Sequence, residues 1–283
     1  VNKDNIITTI VFRSGSKGCP GKHTREMAGK PLFMWTLEQA IEFGARIIIA
    51  TDIKHEIKPI VPKDIPVVLQ RPEPTDRTPK LPAVRGAAED AEHHYGQKFP
   101  IILDLDATAP LRAQVDIEDA IRILEEDGNA DCVLSATVGV GRNPYFNLLE
   151  FRRGRLDRSK PLQFVVSTRQ QAPTTVFAAN SSIYAYRRKF LFDENVTSPL
   201  DGKCAVLNMP EESYYHVDSE LDFEIVEFLM KRRLGQASEV EGVPEPFRMP
   251  KIPRTPTIME EQLKAMGTIS NQIQAIHKEL KRV

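Results

Sequence analysis

The chain is poor in the features that mark several function classes. Its 283 residues carry 38 lysines and arginines against 39 aspartates and glutamates, a formal net charge of −1. A general nucleic-acid binder carries a basic excess, so that class is disfavoured, and any anion site must be a local cluster. No apolar run approaches membrane-spanning length, and the opening VNKDN shows no signal-peptide core. The expectation is a cytoplasmic protein with no membrane partner. There are three cysteines, Cys19, Cys132 and Cys204, odd in number, far apart in sequence and without zinc-ligand spacing. They read as reduced thiols, and Cys19, with no obvious partner histidine, reads as a small filler rather than a nucleophile. Both common nucleotide fingerprints, G-x-G-x-x-G and G-x-x-x-x-G-K-[ST], are missing as well.

What is present is concentrated in residues 5–22, NIITTIVFRSGSKGCPGK. An apolar run stops at Arg13 and gives way to a basic loop containing Gly15, Gly18 and Gly21. Glycines let backbone N–H groups turn towards an anion, and Arg13, Lys17 and Lys22 add three cations. The pattern predicts a strand ending in a cradle for a polyphosphate. A solvated surface turn is the plainer alternative for a loop of this composition, but the preceding strand argues for the cradle.

The run from Arg13 through Gly15, Ser16 and Lys17 to Lys22, followed by Ala28-Gly29-Lys30-Pro31-Leu32, resembles the signature A-R-x-G-S-K-G-x-P-x-K-N of the CMP-sialic acid synthetases, or N-acylneuraminate cytidylyltransferases. That resemblance implies transfer of the cytidylyl group of CTP to a nine-carbon sugar acid, with Mg2+ as cofactor and release of pyrophosphate. It extends over residues 5–233. Thr51-Asp52 is similar to the family's S-T-D, and Arg71-Pro72 to an R-P that lies beside the nucleotide. Residues 104–112, DLDATAPLR, look like L-L-Q-P-T-S-P-L-R, with Thr108, Pro110, Leu111 and Arg112 matching. Asp106 stands in place of the glutamine that resembles a sugar contact. A carboxylate accepts hydrogen bonds without donating, so Asp106 would suit a sugar hydroxyl or amine, would hold a metal, or would simply cap a turn. Lys80 falls near a family serine beside the nucleotide; it would meet a phosphate, an acidic group or only solvent.

Arg169-Gln170-Gln171-Ala172-Pro173 is close to R-Q-x-x-P, which implies that Arg169 and Gln170 bind the sugar acid, the Arg169 fork pairing its carboxylate. Asn180 with Ile183-Tyr184 resembles N-G-A-I-Y and joins that sugar set with Arg112. Residues 216–222, HVDSELD, resemble D-I-D-T-E-L-D, whose two aspartates bind magnesium. His216 replaces the first and is a poor ligand for a hard cation, whereas Asp218 is retained; either Asp218 with phosphate oxygens suffices, or Asp106 supplies the missing oxygen. The implied catalytic set is Arg13, Lys17 and Asp218, and the nucleotide set is Arg13, Gly15, Ser16, Lys17, Lys22, Arg71 and Lys80.

Residue patterns along the chain agree with an α/β fold. Helical spacing occurs at 31–43, 81–95, 116–126 and 220–233, and short apolar strands at 46–52, 66–69, 99–105, 132–136 and 204–209. Leu32, Trp35, Ala40 and Ile41 form a candidate buried face, with Gly44 as a helix stop and Gly128-Asn129 closing another helix. The alternation predicts a mostly parallel, doubly wound, Rossmann-like sheet of the nucleotide-diphospho-sugar transferase type, with ligands at the carboxyl ends of its strands. Residues 138–179 break that rhythm with strand-like pieces at 146–151 and 163–167 around a basic turn, and resemble the family's dimerisation subdomain. The catalytic domain is thus placed at 1–234, a proline-rich linker at 235–257, and an amphipathic helix at 258–283. The last would pair as a coiled coil that joins dimers into a tetramer, or dock on the catalytic domain. Two rival functions stay open: a nucleotidyltransferase of the same architecture for another sugar or nucleotide, and a non-catalytic assembly protein.

Overall fold

The computed structural model describes residues 2–70, 79–138, 143–152, 154–162, 164, 167–173 and 176–236. The chain divides into Val1–Ala237 and Ser238–Val283, and all of the described residues belong to the first unit. Arg71, nearly all of the expected linker and the whole expected C-terminal helix lie outside the described residues.

In chain order the strands are β1 (Ile6–Phe12), β2 (Glu26–Met27), β3 (Lys30–Pro31), β4 (Arg46–Thr51), β5 (Val67–Leu69), β6 (Ile101–Leu105), β7 (Cys132–Val138), β8 (Leu149–Arg152), β9 (Arg155–Arg158), β10 (Phe177–Arg187) and β11 (Cys204–Met209). The helices are α1 (Leu32–Phe43), α2 (Lys54–Ile57), α3 (Lys80–Tyr95), α4 (Gln114–Glu126), α5 (Arg188–Leu191) and α6 (Glu220–Arg233). Among the described residues, seven strands form one sheet in the order β11-β7-β10-β6-β1-β4-β5. All its pairings are parallel except those of β10, which runs antiparallel to both β6 and β7.

Interior strand β1 is buried along its whole length, which is why it reads as a mostly apolar run, broken only by the buried Thr8 and Thr9, and not as an alternation. Its side chains still divide by pleat. Ile6, Ile10 and Phe12 join the core beneath α1 and α4, while Ile7 and Val11 pack with Leu81, Val84 and Ala87 of α3 on the other face. α1 starts after Pro31 and ends at Gly44, whose φ of 79° lets its N–H reach the Ala40 carbonyl at 3.2 Å. The buried side of α1 is Leu32, Phe33, Thr36, Leu37, Ala40 and Phe43, whereas Ile41, expected inward, is exposed. α4 ends at Glu126, where the helical spacing stops, with Asp127 as its cap just ahead of Gly128-Asn129.

One further expectation is corrected. The piece placed at 146–151 pairs only as β8, which forms a separate hairpin with β9, and the one at 163–167 falls largely outside the described residues. Cys132 and Cys204, distant in sequence, stand opposite each other in register on β7 and β11, both as free thiols.

Candidate active site

The carboxyl ends of β1, β5 and β6 open into a cleft of about 420 Å³. The loop after β1 forms one wall with Arg13, Ser16, Lys17 and Lys22; α3 and the end of β6 form the opposite wall with Lys80, Asp106 and Thr108. Asp218, just ahead of α6, closes the rim beside the loop.

The loop is fixed at three points. At its start, Ser14 donates from its N–H (2.8 Å) and hydroxyl (2.7 Å) to the Asp52 carboxylate at the end of β4. In the middle, a side chain at Gly18 would collide with the Asp218 carbonyl oxygen, so loop and rim meet backbone to backbone. At its end, Lys22 is almost wholly buried and donates to the Val217 carbonyl at 2.5 Å and to Asp218 Oδ1 at 3.0 Å. Cys19 fills a small core with Met27, Leu32, Val217 and Phe223, the filler role expected of it. Burial pushes its thiol pKa up, which leaves it a poor nucleophile.

On the rim, Asp218 is 66% exposed. A hydrogen bond from His216 Nε2 at 3.0 Å, aided by Lys22, holds its pKa at about 2. The same bond raises the pKa of His216. His216 thus faces Asp218 itself, with Nδ1 at 3.1 Å from the Tyr214 carbonyl. Asp222 accepts from the Ser219 N–H at 2.8 Å and so caps α6.

The opposite wall holds a second cluster. Lys80 Nζ lies 2.8 Å from both Asp104 Oδ2 and Asp106 Oδ2. Asp104 is fully buried and also accepts from the Thr9 hydroxyl at 2.9 Å; Asp106 Oδ1 accepts from the Thr108 N–H (2.8 Å) and hydroxyl (2.7 Å). Burial alone would lower the Lys80 pKa, but the two carboxylates outweigh it and raise it. Burial would likewise raise that of Asp106, and Lys80 reverses this, so its pKa falls. With both oxygens engaged by protein donors, Asp106 is not a vacant metal ligand, and Lys80 is an ion-paired wall residue and not a solvated one.

Two residues assigned to a sugar site sit elsewhere. Arg112 is 2% exposed; it donates to the carbonyls of Ala109 (3.1 Å), Ser182 (2.8 Å) and Asp106 and to the Thr36 hydroxyl (2.9 Å). Every face of its guanidinium is used to tie β6, β10 and α1 together. Asn180, fully buried on β10, accepts from the Ser135 hydroxyl at 2.5 Å and from the Ser182 N–H at 3.2 Å. Both are scaffold residues. Arg169 and Gln170 begin the short turn Arg169–Gln171, outside the lining of the cleft; Gln170 is exposed, and the Arg169 side chain lies outside the described residues. Gly15 is on the exposed face of the loop.

Sequence reasoning passed over Asp104 and His23. His23 lies in the cleft wall, buried, its ring stacked on Phe12 at 4.7 Å. Burial, followed by the charge of Lys22, brings its pKa down to about 4, so the ring is neutral at pH 7. The signal for His23 was its position directly after Lys22, where the signature has asparagine. For Asp104 it was an acidic residue inside an otherwise apolar strand, a charge that must be paired when buried.

Comparison with known proteins agrees with this geometry. The family model described as Cytidylyltransferase matches residues 7–216. Post-translational flagellin modification protein B of Campylobacter coli is 35% identical over 239 residues, covering 83% of this chain and 98% of that protein. CMP-N,N'-diacetyllegionaminic acid synthase of Campylobacter jejuni subsp. jejuni serotype O:2 is 36% identical over 230 residues, covering 80% and 94%. A solved structure of CMP:2-keto-3-deoxy-manno-octonic acid synthetase complexed with CTP shares the fold, with a TM-score of 0.58 at 17% identity over 81% of this chain and 99% of that one. With the matched segment running from the first strand to the rim of the cleft, the chain belongs to the cytidylyltransferase family, among its CMP-sialic-acid-synthetase-like members, and is a nucleotidyltransferase.

Proposed function

We propose that the protein joins the cytidylyl group of CTP to a nonulosonic, sialic-acid-like sugar acid and releases pyrophosphate. The observation that carries this reading is the convergence of Arg13, Lys17 and Lys22 on one side of a cleft at the carboxyl edge of the sheet. Support for the sugar comes from the name of the C. jejuni relative, a synthase of a CMP-linked legionaminic acid.

In this reading the triphosphate lies across the 13–22 loop, where the three cations, the backbone N–H of Gly15 and the side chain of Ser16 spread its charge. An oxygen of the sugar acid attacks the α-phosphorus in line, and pyrophosphate leaves. Little covalent chemistry falls to the protein: it orients the two substrates and stabilises charge that builds on the phosphoryl oxygens. Arg169 and Gln170 bind the sugar acid, with Arg71 beside the nucleotide.

Cytidylyltransferases of this kind typically use a divalent metal. Among the described residues there is no group of three or more metal-ligating side chains. A Mg2+ ion nevertheless fits Asp218, because magnesium is commonly held by one or two carboxylates plus substrate phosphates and water, and Asp218 is exposed and ionised. When bound there it would neutralise phosphate oxygens. His216 would keep Asp218 ionised and oriented, and Asp106 would not contribute.

Among the described residues no helix is long and apolar enough to cross a membrane. The cytoplasm is the proposed place of action, and the three free thiols support a reducing compartment. We further propose a homodimer through residues 138–179. Leu149, Phe151 and Leu156 of the β8–β9 hairpin are 53%, 74% and 65% exposed, a cluster that a second copy would cover. The 258–283 segment could then pair such dimers.

The test is pyrophosphate release across a panel of nucleoside triphosphates and sugar acids. Release with CTP and a nonulosonic acid supports the proposal, another nucleotide or sugar redirects it, and none at all rejects it. Light scattering of a Phe151→Asp variant tests the dimer; an unchanged mass would reject the hairpin as its interface.

A further inference from the structure

The Lys80 cluster does not have the charge of a phosphate anchor. Its ammonium is bracketed at 2.8 Å by two carboxylates, so that the group as a whole carries no positive excess. A triphosphate is served by the opposite wall, where Arg13, Lys17 and Lys22 gather. Yet Lys80 is about a third exposed and lines the cleft, which a purely structural ion pair on this strand end would have no need to do. An ammonium has three N–H donors. Asp106 accepts one at 2.8 Å, Asp104 pairs with the charge from the same distance, and the place of Lys80 in the cleft lining leaves donor capacity for an acceptor there. The wall around it, Val11, Pro79 and Ala83, is apolar. A fixed, charge-compensated donor on an apolar wall suits an uncharged acceptor such as a carbonyl, ring nitrogen or hydroxyl.

We propose that Asp104 and Asp106 are positioning residues that clamp Lys80, and that the clamped Lys80 donates to an uncharged acceptor on the nucleoside half of the bound nucleotide. This rests on the reading of the cleft as a CTP site. In this arrangement Asp106 acts through Lys80 and touches no ligand. The three positions are also ones where the sequence departs together from the pattern it resembles: Asp104 and Asp106 stand in place of a leucine and the glutamine of L-L-Q, and Lys80 in place of a serine. Residues that depart together and meet at 2.8 Å behave as one unit.

The experiment compares two ligands on the same full-length chain by calorimetry, CTP and inorganic tripolyphosphate, well below the melting temperature of each variant. Lys80→Met is expected to weaken CTP about ten- to hundredfold, the range for losing one hydrogen bond to a charged group, and to leave tripolyphosphate within about twofold. Asp104→Asn keeps the shape of the side chain and its contact with Thr9 while removing the charge. It is expected to weaken CTP selectively as well, and to add nothing further in the Lys80→Met background. Should Lys80→Met fail to fold, Asp104→Asn alone carries the selective loss. Equal weakening of both ligands, additive losses, or an unchanged CTP affinity in Asp104→Asn would each overturn the inference. If the unaltered protein binds no CTP, the nucleotide reading itself falls, and this inference with it.

Discussion

Two lysine–carboxylate clusters face each other across one cleft, and they are built from the same parts in opposite proportion. On the α3 wall one ammonium, Lys80, is held by two carboxylates, Asp104 and Asp106. On the rim one carboxylate, Asp218, is shared by the Lys22 ammonium and the His216 imidazole. The ratio decides the task. A cation-rich rim next to Arg13 and Lys17 suits a polyanion; a carboxylate-rich wall cannot attract one and serves to hold a donor still. Exposure differs as well: Asp104 is fully buried, while Asp218 stands mostly in water, so the first cluster bears on stability and the second on ligand charge.

The comparison would break most visibly at the loop. Lys22→Ala or Lys17→Ala is expected to reduce turnover by about 10²-fold or more, the scale for deleting one preorganised charge-stabilising donor, with circular dichroism unchanged. Near-normal turnover in both would remove the loop from the mechanism. Next in size, Asp218→Asn should lower turnover about tenfold or more and raise the divalent-metal concentration needed for half-maximal rate; an unaltered metal requirement would take the metal away from the rim.

Lys80→Met tests the buried side. Leaving Asp104 in the core beside Asp106 without a counter-ion should cost about 3 kcal/mol, the low end for a broken buried pair because Lys80 is partly exposed. In a domain of this size that is a fall of about 6–12 °C in Tm. Because the loss comes from a buried carboxylate forced to ionise, it should shrink as the pH falls towards the ordinary carboxylate pKa of about 4. The smallest effect belongs to His216. Its pKa is raised by Asp218, so its contribution to stability is complete below the unfolded value of about 6.5 and is lost as pH rises through the folded pKa. The difference in stability between the natural protein and His216→Gln, read from Tm, should be largest near pH 5 and vanish in alkali, and stay below about 1 kcal/mol for so exposed a pair. A pH-independent difference would mean that the imidazole works by packing.

Much of the frame could be read from residue order, because its signals are local. Gly44 ended α1 where a left-handed residue was needed, the helical spacing of residues 220–233 marked α6, and the apolar run into Arg13 announced β1 and its loop. β10 gave no such signal. Its centre, Asn180-Ser181-Ser182, is polar, Ser181 has a φ of 54°, and its register with β7 shifts between Ala179 and Tyr184. A strand carrying a kink and three polar residues does not alternate, and only its two neighbours make it a strand.

The site divides along the same line. Arg13, Ser16, Lys17 and Lys22 were legible since they sit on one short loop. The bonds of Arg112 to residues 36, 106, 109 and 182 could not be inferred from its own neighbourhood, so a basic residue in a motif passed for a ligand contact when it fastens three elements. Asp104 and Lys80 are 24 positions apart in sequence, and nothing short of the sheet and α3 together brings them into contact.

Gly18 has a consequence that reaches beyond its own loop. Because its bare Cα rests against the Asp218 carbonyl, the basic loop and the rim that carries Asp218 behave as two jaws set on a common pin, and their gap is fixed by the thickness of a peptide. Any larger residue at 18 would widen the jaws and shift both charges relative to whatever they grip. Gly18→Ala should therefore alter the fit to a triphosphate without deleting a single charged group.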